Sequence, residues 1–361
     1  MLILYITYID FGEGSSGSGV RPQKMYEAFL QEGHEVKLLS GGQGNYKTRQ
    51  KRLSAVAEIE QWLNEHKPDL CYIESPVYPI LWGADRRLIA RIHRMRIPIG
   101  YFYRDLYRKF PDLFPRRRDL IGAAKELYLD RLQAATDRLL EKADIVYFPS
   151  EKCFSFFSYA DMRTLPPGGE DRLDETMPFY KHCVYVGGLM DQYDGECLLQ
   201  AFALLNKDRV EYPLTLICRH REWQSLPAQL RRGPWLEVHH VSGEALRPLL
   251  SRAGAGLLIG KADHPYSQYA VSVKTYEYMG YGLPMVYIRN APHDRIIEAA
   301  GIGIGTDGTP EALAEGIRRL FASPEVYERY RDAAAIALYK NGLWVHRARQ
   351  VVRDLTEKRK S

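Results

Sequence analysis

Ser272, Lys274 and Glu277 stand at the head of a helical pattern that runs over 273–281. Ser272 can cap such a helix. The N–H groups of its first turn, that of Val273 among them, suit an anion such as a diphosphate, and Lys274 adds a positive charge. Glu277 follows near one turn on, where a carboxylate can accept both hydroxyls of a ribose. Gly282-Leu283-Pro284 then ends the helix and launches an apolar strand over 285–288. The same residues also describe a surface helix with a Lys/Glu pair at i,i+3, and both readings stay open.

A second concentration of chemistry is the glycine- and serine-rich stretch from Phe11 to Arg21. Glycines let a backbone approach a ligand, and the helix that follows offers N–H groups to an anion. Gly17, Ser18, Gly19 and Arg21 are the candidates there. Gly12, Gly14 and Gly17 count out as GxGxxG, but no acidic residue closes the next strand at Leu38-Leu39-Ser40-Gly41, which argues against a dinucleotide site. A loop without a ligand is the plain alternative.

A third is Tyr101-Phe102-Tyr103-Arg104-Asp105, just past a strand. Asp105 can orient or deprotonate a hydroxyl there, or it can simply cap a turn with Arg104 as its partner. Glu74 holds a similar strand end. Arg219-His220-Arg221 also follows a strand, at the carboxyl end where open α/β sheets bind ligands. A solvated basic loop fits those residues as well. Finally, fifteen Lys/Arg stand against seven Asp/Glu from Arg86 to Lys142. Within 104–118, Phe110, Leu113 and Phe114 interleave with these cations, so the tract suits contact with an anionic membrane, or else is a solvated loop. No nucleic-acid motif accompanies it. The ten histidines show no triad or metal spacing, and His93, His182 and His264 read as packing or surface residues.

The elements that must position these groups alternate. Apolar runs at 2–6, 35–39, 70–73, 99–103 and 145–148 are separated by helical patterns at 21–33, 52–66, 88–95 and 120–143. Leu165-Pro166-Pro167-Gly168-Gly169 breaks the rhythm, which then restarts. Strands at 183–186, 214–218, 236–241, 256–259, 285–288 and 303–305 alternate with helices at 196–205, 244–253 and 273–281. Helices at 310–322, 326–338 and 344–358 close the chain. The pattern predicts βαβ units, parallel sheets and two doubly wound α/β domains in series.

The bulk composition agrees. A chain of 361 residues suits two domains at roughly 100–200 residues each. A net charge of +5 is mild and by itself does not point to nucleic acid. No segment reaches the ~18 apolar residues that span a bilayer. The apolar start lacks a basic n-region and a cleavage site, so it reads as a strand. The five cysteines are scattered and odd in number, which predicts reduced, buried thiols and a cytoplasmic protein. Zinc would need clustered ligands, and none are visible.

Over its full length the chain resembles GT-B glycosyltransferases, family 4 and its bacterial polysaccharide relatives in particular. Lys274, Glu277, Tyr278, Met279, Gly282, Pro284 and Val286 follow that family's donor motif, roughly K-x-x-E-[YA]-M-x-x-G-x-P-V-[VI]. Gly17 to Val36 resembles its opening segment. Arg104-Asp105-Leu106 is similar to a corner in some members, and Thr164 to Gly168 to the interdomain hinge. Tyr185 to Leu189 resembles the first strand of the donor domain, and Trp344 to Ala348 the last helix.

The resemblance implies two Rossmann-like domains across a cleft. An acceptor domain would span 1–165, with helix 343–361 crossing back to it, and a donor domain 166–342. It implies sugar transfer from a nucleotide-sugar, guessed to be a UDP-sugar, to an acceptor hydroxyl in polysaccharide, glycolipid or glycoconjugate assembly. Neither a metal nor a resident cofactor is expected, and anomeric configuration would be retained. Gly17, Ser18, Gly19, Arg21, Arg219, Lys261, Ser272, Val273, Lys274 and Glu277 would bind the donor. Glu74, Arg104 and Asp105 would bind the acceptor, with Asp105 and Glu277 catalytic. The enzyme would be cytoplasmic, at the inner membrane face if 104–118 docks.

Two departures stand out. Tyr269 occupies the place of the family's first glutamate, and Gly188 that of a phosphate-binding arginine, with no lysine near Gln192-Tyr193-Asp194. Arg219, Arg221, Lys261 and Lys274 are the cations that can compensate. A degenerate partner subunit, a GT-B sugar-nucleotide epimerase or hydrolase, and more distantly an NAD(P) oxidoreductase are the alternatives.

Overall fold

The computed structural model describes residues 1–11, 17–44, 46–113, 119–175, 179–190 and 192–360. Gly12, Gly14 and the rest of 12–16, and the Phe114 end of the basic tract over 114–118, lie outside them. The chain divides into two compact units. Unit 1 is Met1–Pro166 with Trp344–Ser361, and unit 2 is Pro167–Leu343.

Unit 1 begins with β1 (Leu2–Ile6), α1 (Gly17–Gln31), β2 (Glu35–Leu39), α2 (Tyr46–Glu65) and β3 (Leu70–Glu74). It continues with α3 (Gly83–Arg94), β4 (Ile99–Phe102), α4 (Leu120–Leu140), β5 (Ile145–Phe148) and β6 (Met162–Thr164). All its strands pair in parallel, in the order β2-β1-β3-β4-β5-β6. Strands β3, β4 and β5 are buried along their whole length, as parallel strands covered on both faces must be. That double burial is why they read as unbroken apolar runs.

Unit 2 runs through β7 (Cys183–Val186), α5 (Gly195–Leu205), β8 (Leu214–Ile217), α6 (His220–Ser225), β9 (Leu236–His239) and α7 (Arg247–Ser251). It goes on with β10 (Ala255–Leu258), α8 (Val273–Gly280), β11 (Met285–Ile288), α9 (Ala291–His293) and β12 (Gly303–Thr306). The helices α10 (Pro310–Leu320) and α11 (Pro324–Asn341) complete it. Its strand order is β12-β11-β10-β7-β8-β9. Counted from β7, this is the 3-2-1-4-5-6 order of a doubly wound sheet. Successive side chains feed opposite faces. Val286 and Ile288 of β11 pack in one core layer with Phe202, Leu257 and Ile317, while Met285 and Tyr287 pack in the other with Tyr278 and Leu338.

Local chemistry starts the helices. Thr309 and Ser323 cap α10 and α11, each followed by a proline at the first helical position. Asp194 caps α5 through the Cys197 N–H, and Asp119 caps α4 through the Gly122 N–H. The last helix, α12 (Trp344–Lys360), packs on α1, β3 and β4 of unit 1. Gly100 of β4 makes room for it, since a Cβ there would lie 3.0 Å from both Leu355 of α12 and Tyr147 of β5. Asp354 of α12 is buried and accepts bonds from Tyr147 (3.3 Å) and Arg163 (3.0 Å).

Some expected elements change. The basic stretch after β8 is the short helix α6 and not an open loop. Helix α1 starts at Gly17, four residues before the expected place. The expected helix over 244–253 is a 3-10 turn followed by α7, because Pro248 falls at a helix start. The short edge strand β6 has no counterpart in the sequence reading.

Candidate functional site

Each unit offers its own cluster at the carboxyl ends of its strands. In unit 2 the strand order reverses between β7 and β10, which is where open α/β sheets form a ligand crevice. The loops that follow these two strands are bonded to each other, the Lys261 N–H donating to the Gln192 carbonyl at 2.9 Å. Helix α8 starts at the end of the loop from β10. Ser272 caps it, its Oγ accepting the Lys274 N–H at 3.2 Å. One first-turn N–H is therefore already engaged by a long, replaceable bond.

Lys274 and Glu277 are both half-buried and form an ion pair with each other. The i,i+3 pairing open in the sequence is thus made, near the start of α8. Lys261 is exposed in the loop after β10. Tyr269, which stands in place of a glutamate, is half-buried just before α8. The close fit of α8 depends on Gly280, whose Cβ would sit 2.2 Å from the Glu170 carbonyl oxygen.

Arg219 lies at the end of β8, beside β7. It donates to Glu222 at 2.6 Å and is largely exposed. Glu222 also accepts the Leu189 N–H at 2.7 Å, so it pins the loop after β7 to α6. A Cβ on Gly188 would meet the Tyr193 ring at 2.5 Å. Any side chain at 188 would require the Tyr193 ring to move. Sequence reasoning passed over Glu222 of α6 and gave Tyr193 no role, and only their three-dimensional neighbours reveal them.

Unit 1 has its order reversal between β1 and β3. Glu74 ends β3 and is 1% exposed, and Arg21, on the second turn of α1, is 4% exposed. The Arg21 Nε donates to Glu74 Oε1 at 3.0 Å, and the Tyr72 hydroxyl donates to the same oxygen at 2.9 Å. The guanidinium lies 3.6 Å from the centroid of the Phe102 ring. Burial opposes its charge, yet Glu74 holds its pKa above the ordinary arginine value. Burial, with Glu74 beside it, pushes the Tyr72 hydroxyl far up, so it stays a neutral donor. Tyr72 went unnoticed in the sequence, although it shares a β3 face with Glu74 at i,i+2.

Two buried atoms of this pair, Glu74 Oε2 and Arg21 Nη1, have no hydrogen-bond partner among the described residues. Next to them, the Ser75 hydroxyl accepts the Arg104 N–H at 3.0 Å, and the Arg104 Nε donates to Asp105 at 2.8 Å. The structure therefore gathers Arg21, Glu74, Arg104 and Asp105 at the ends of β3 and β4. Gly17, Ser18 and Gly19 form the first turn of α1. Among the described residues, no three His, Cys, Asp or Glu side chains come together to hold a metal.

Residues 198–353 match a family model described as glycosyl transferase-like. No curated protein matches the chain by sequence. Among solved structures, it is similar to sucrose-phosphate synthase from Thermosynechococcus elongatus, at 14% identity and a TM-score of 0.67, covering 98% of each chain. It is similar to a glycosyltransferase from Rickettsia africae ESF-5 at 12% identity and a TM-score of 0.68, over 99% of this chain and 98% of that one. It is also similar to Anabaena HepE, solved in complex with UDP, at 12% identity and a TM-score of 0.65, over 99% and 100% of the two chains.

The chain has the GT-B fold. At these identities the likeness establishes architecture, and the family match covers α8 and the rest of the second Rossmann-like sheet from α5 onward. In GT-B terms, the Lys274–Glu277 helix belongs to the C-terminal domain and the Arg21–Glu74 cluster to the N-terminal one. The five cysteines are all free and buried, and no described helix is long and apolar enough to cross a membrane.

Proposed function

We propose that this GT-B chain transfers a sugar from a nucleotide-sugar to an acceptor hydroxyl. The observation that carries the reading is the position of α8. Its capped start, with Lys274 and Glu277, ends the loop that leaves β10, a strand at the sheet's order reversal, inside the segment that matches the glycosyl transferase-like family. The donor diphosphate would rest on the N–H groups near Val273, with Ser272 yielding its bond to Lys274. Lys274 and Lys261 would meet the phosphate charge, and Arg219 would reinforce it on the β8 side. Glu277 would turn from Lys274 to the ribose hydroxyls. A uridine donor is favoured by the UDP bound in the HepE structure.

Unit 1 would hold the acceptor. Asp105 is half-buried, oriented by Arg104, and beside Glu74 at the strand ends. In the reaction the bond from the anomeric carbon to the diphosphate oxygen breaks. A bond to the acceptor oxygen forms, and its proton passes to a carboxylate, for which Asp105 is our choice. Catalysis then rests on positioning and on stabilising the leaving diphosphate, without a metal. Retention of anomeric configuration is part of the proposal, on the resemblance to family 4. Polysaccharide or glycolipid assembly in the cytoplasm is its setting, in keeping with five buried free thiols.

The test is acceptor-dependent release of nucleoside diphosphate from a panel of nucleotide-sugars and saccharide acceptors. Asp105→Asn should lower kcat by about 10²-fold or more while donor binding holds. Absence of turnover with every donor, or an Asp105→Asn enzyme with full kcat, would overturn the assignment.

A further inference from the structure

A hollow of about 320 Å³ opens at the amino end of the unit 2 sheet. It lies where β7, β8 and β9 begin, opposite the carboxyl ends from which the loop to α8 departs. Small-molecule sites span about 300–1,000 Å³, so the space suits a single ring. Tyr180 and Trp235 give it apolar walls, and His182, Glu237 and Arg252 give it polar ones. Tyr180 is 47% exposed, while Trp235 is buried. The Trp235 indole lies against Gly233, where a Cβ would come within 2.6 Å of the ring.

The polar wall is a connected chain of hydrogen bonds. Thr215 and Glu237 are register partners on β8 and β9, and the Thr215 hydroxyl donates to Glu237 Oε2 at 3.3 Å. The same hydroxyl accepts the His182 Nε2–H at 2.8 Å. Burial lowers the pKa of His182 to about 4, so its ring is neutral and Nδ1 keeps an acceptor lone pair. Arg252, directly after α7, pairs with Glu237, which also accepts from His239 Nε2 at 2.8 Å. The Arg252 Nε is buried and has no hydrogen-bond partner among the described residues. A donor left in that state calls for a ligand or an ordered water.

Charge and geometry select the ligand. Arg252 and Glu237 cancel, so the lining holds no surplus positive charge for a phosphate or a carboxylate. A donor in Arg252 and acceptors in Glu237 and His182 stand beside the Tyr180 and Trp235 rings. Sugar hydroxyls both donate and accept, and the C–H face of a sugar ring can lie on an aromatic side chain. We infer that this hollow binds one ring of a neutral saccharide. The ring is a free hexose or one residue of a longer glycan. The site belongs to unit 2 alone and is independent of sugar transfer at the carboxyl ends of the strands.

Calorimetric titration of the full chain, without nucleotide, tests it with glucose, galactose, mannose, N-acetylglucosamine and their oligosaccharides. At least one of these should bind saturably. A hexose that binds as well as its oligosaccharide identifies a free sugar as the ligand, and binding of the oligosaccharide alone identifies a glycan chain. Arg252→Gln and Tyr180→Ala should each weaken that binding at least about tenfold. Both side chains reach solvent, so the melting temperature should hold. Asp105→Asn, in the candidate acceptor cluster of unit 1, should bind the saccharide as the native chain does, which separates this site from the fate of the sugar-transfer reading. Four results would overturn the inference: no saccharide binding, binding unchanged in both Arg252→Gln and Tyr180→Ala, binding abolished by Asp105→Asn, or displacement of the sugar by inorganic phosphate.

Discussion

Arg21 and Glu74 are 4% and 1% exposed, so removing either one strands a charge away from water. Breaking a buried pair from one side costs about 3–5 kcal/mol. Arg21→Met should therefore lower unfolding free energy by about that much in chemical denaturation, and so should Glu74→Gln, which keeps an acceptor oxygen but leaves the Arg21 cation buried without its counter-charge. An Arg21→Met chain as stable as the native one would contradict the pairing. Sequence alone places Glu74 correctly at a strand end, because the end of an apolar run is a local signal. It does not reveal that Arg21 is the partner of Glu74, because no local pattern links residues 53 positions apart. The same limit hides the second buried pair, Arg52 and Asp85, whose guanidinium also donates to the carbonyls of Thr7 and Ser40 at 2.8 and 2.9 Å.

At the scale of elements, α8 carries the candidate donor site, and its start and end are set by different means. Ser272→Ala removes the cap and should cost about 1 kcal/mol. Gly280→Ala drives a methyl group into the Glu170 carbonyl and should cost more, with expression and melting temperature as the readout. Should Gly280→Ala prove neutral, the close approach of α8 to residue 170 would be wrong. Helix and strand alternation is legible from the apolar runs, since β3, β4, β5, β8, β10 and β11 are all buried on both faces. Short elements are not. The six residues of α6 and the five of α7 hold too few turns for a period to show, and β6 has only three residues. Strand order is equally invisible, because crossover connections leave no mark on composition.

At the scale of the molecule, two buried histidines of unit 2 tie stability to pH. Burial lowers the pKa of His182 and of His293 from 6.5 to about 4. Both are neutral in the native state at pH 7, and the unfolded chain takes up their protons first on acidification. Their contribution is complete above about pH 6.5 and is lost as pH falls toward 4. The melting temperature should drop by at least about 2 °C between pH 7 and pH 5, and His293→Asn with His182→Asn should flatten that slope. A slope unchanged by both substitutions would assign the loss to other groups.

The central claim is that the C-terminal GT-B domain binds a nucleotide-sugar at the start of α8. Thermal stabilisation by UDP, GDP, ADP and TDP and by their sugars tests it most directly, on the native chain and on Glu277→Ala. Ligand at about 100 times its Kd adds roughly 2.7 kcal/mol to native stability. A rise of several degrees with one base, lost in Glu277→Ala, is expected. No shift with any of these nucleotides would contradict it.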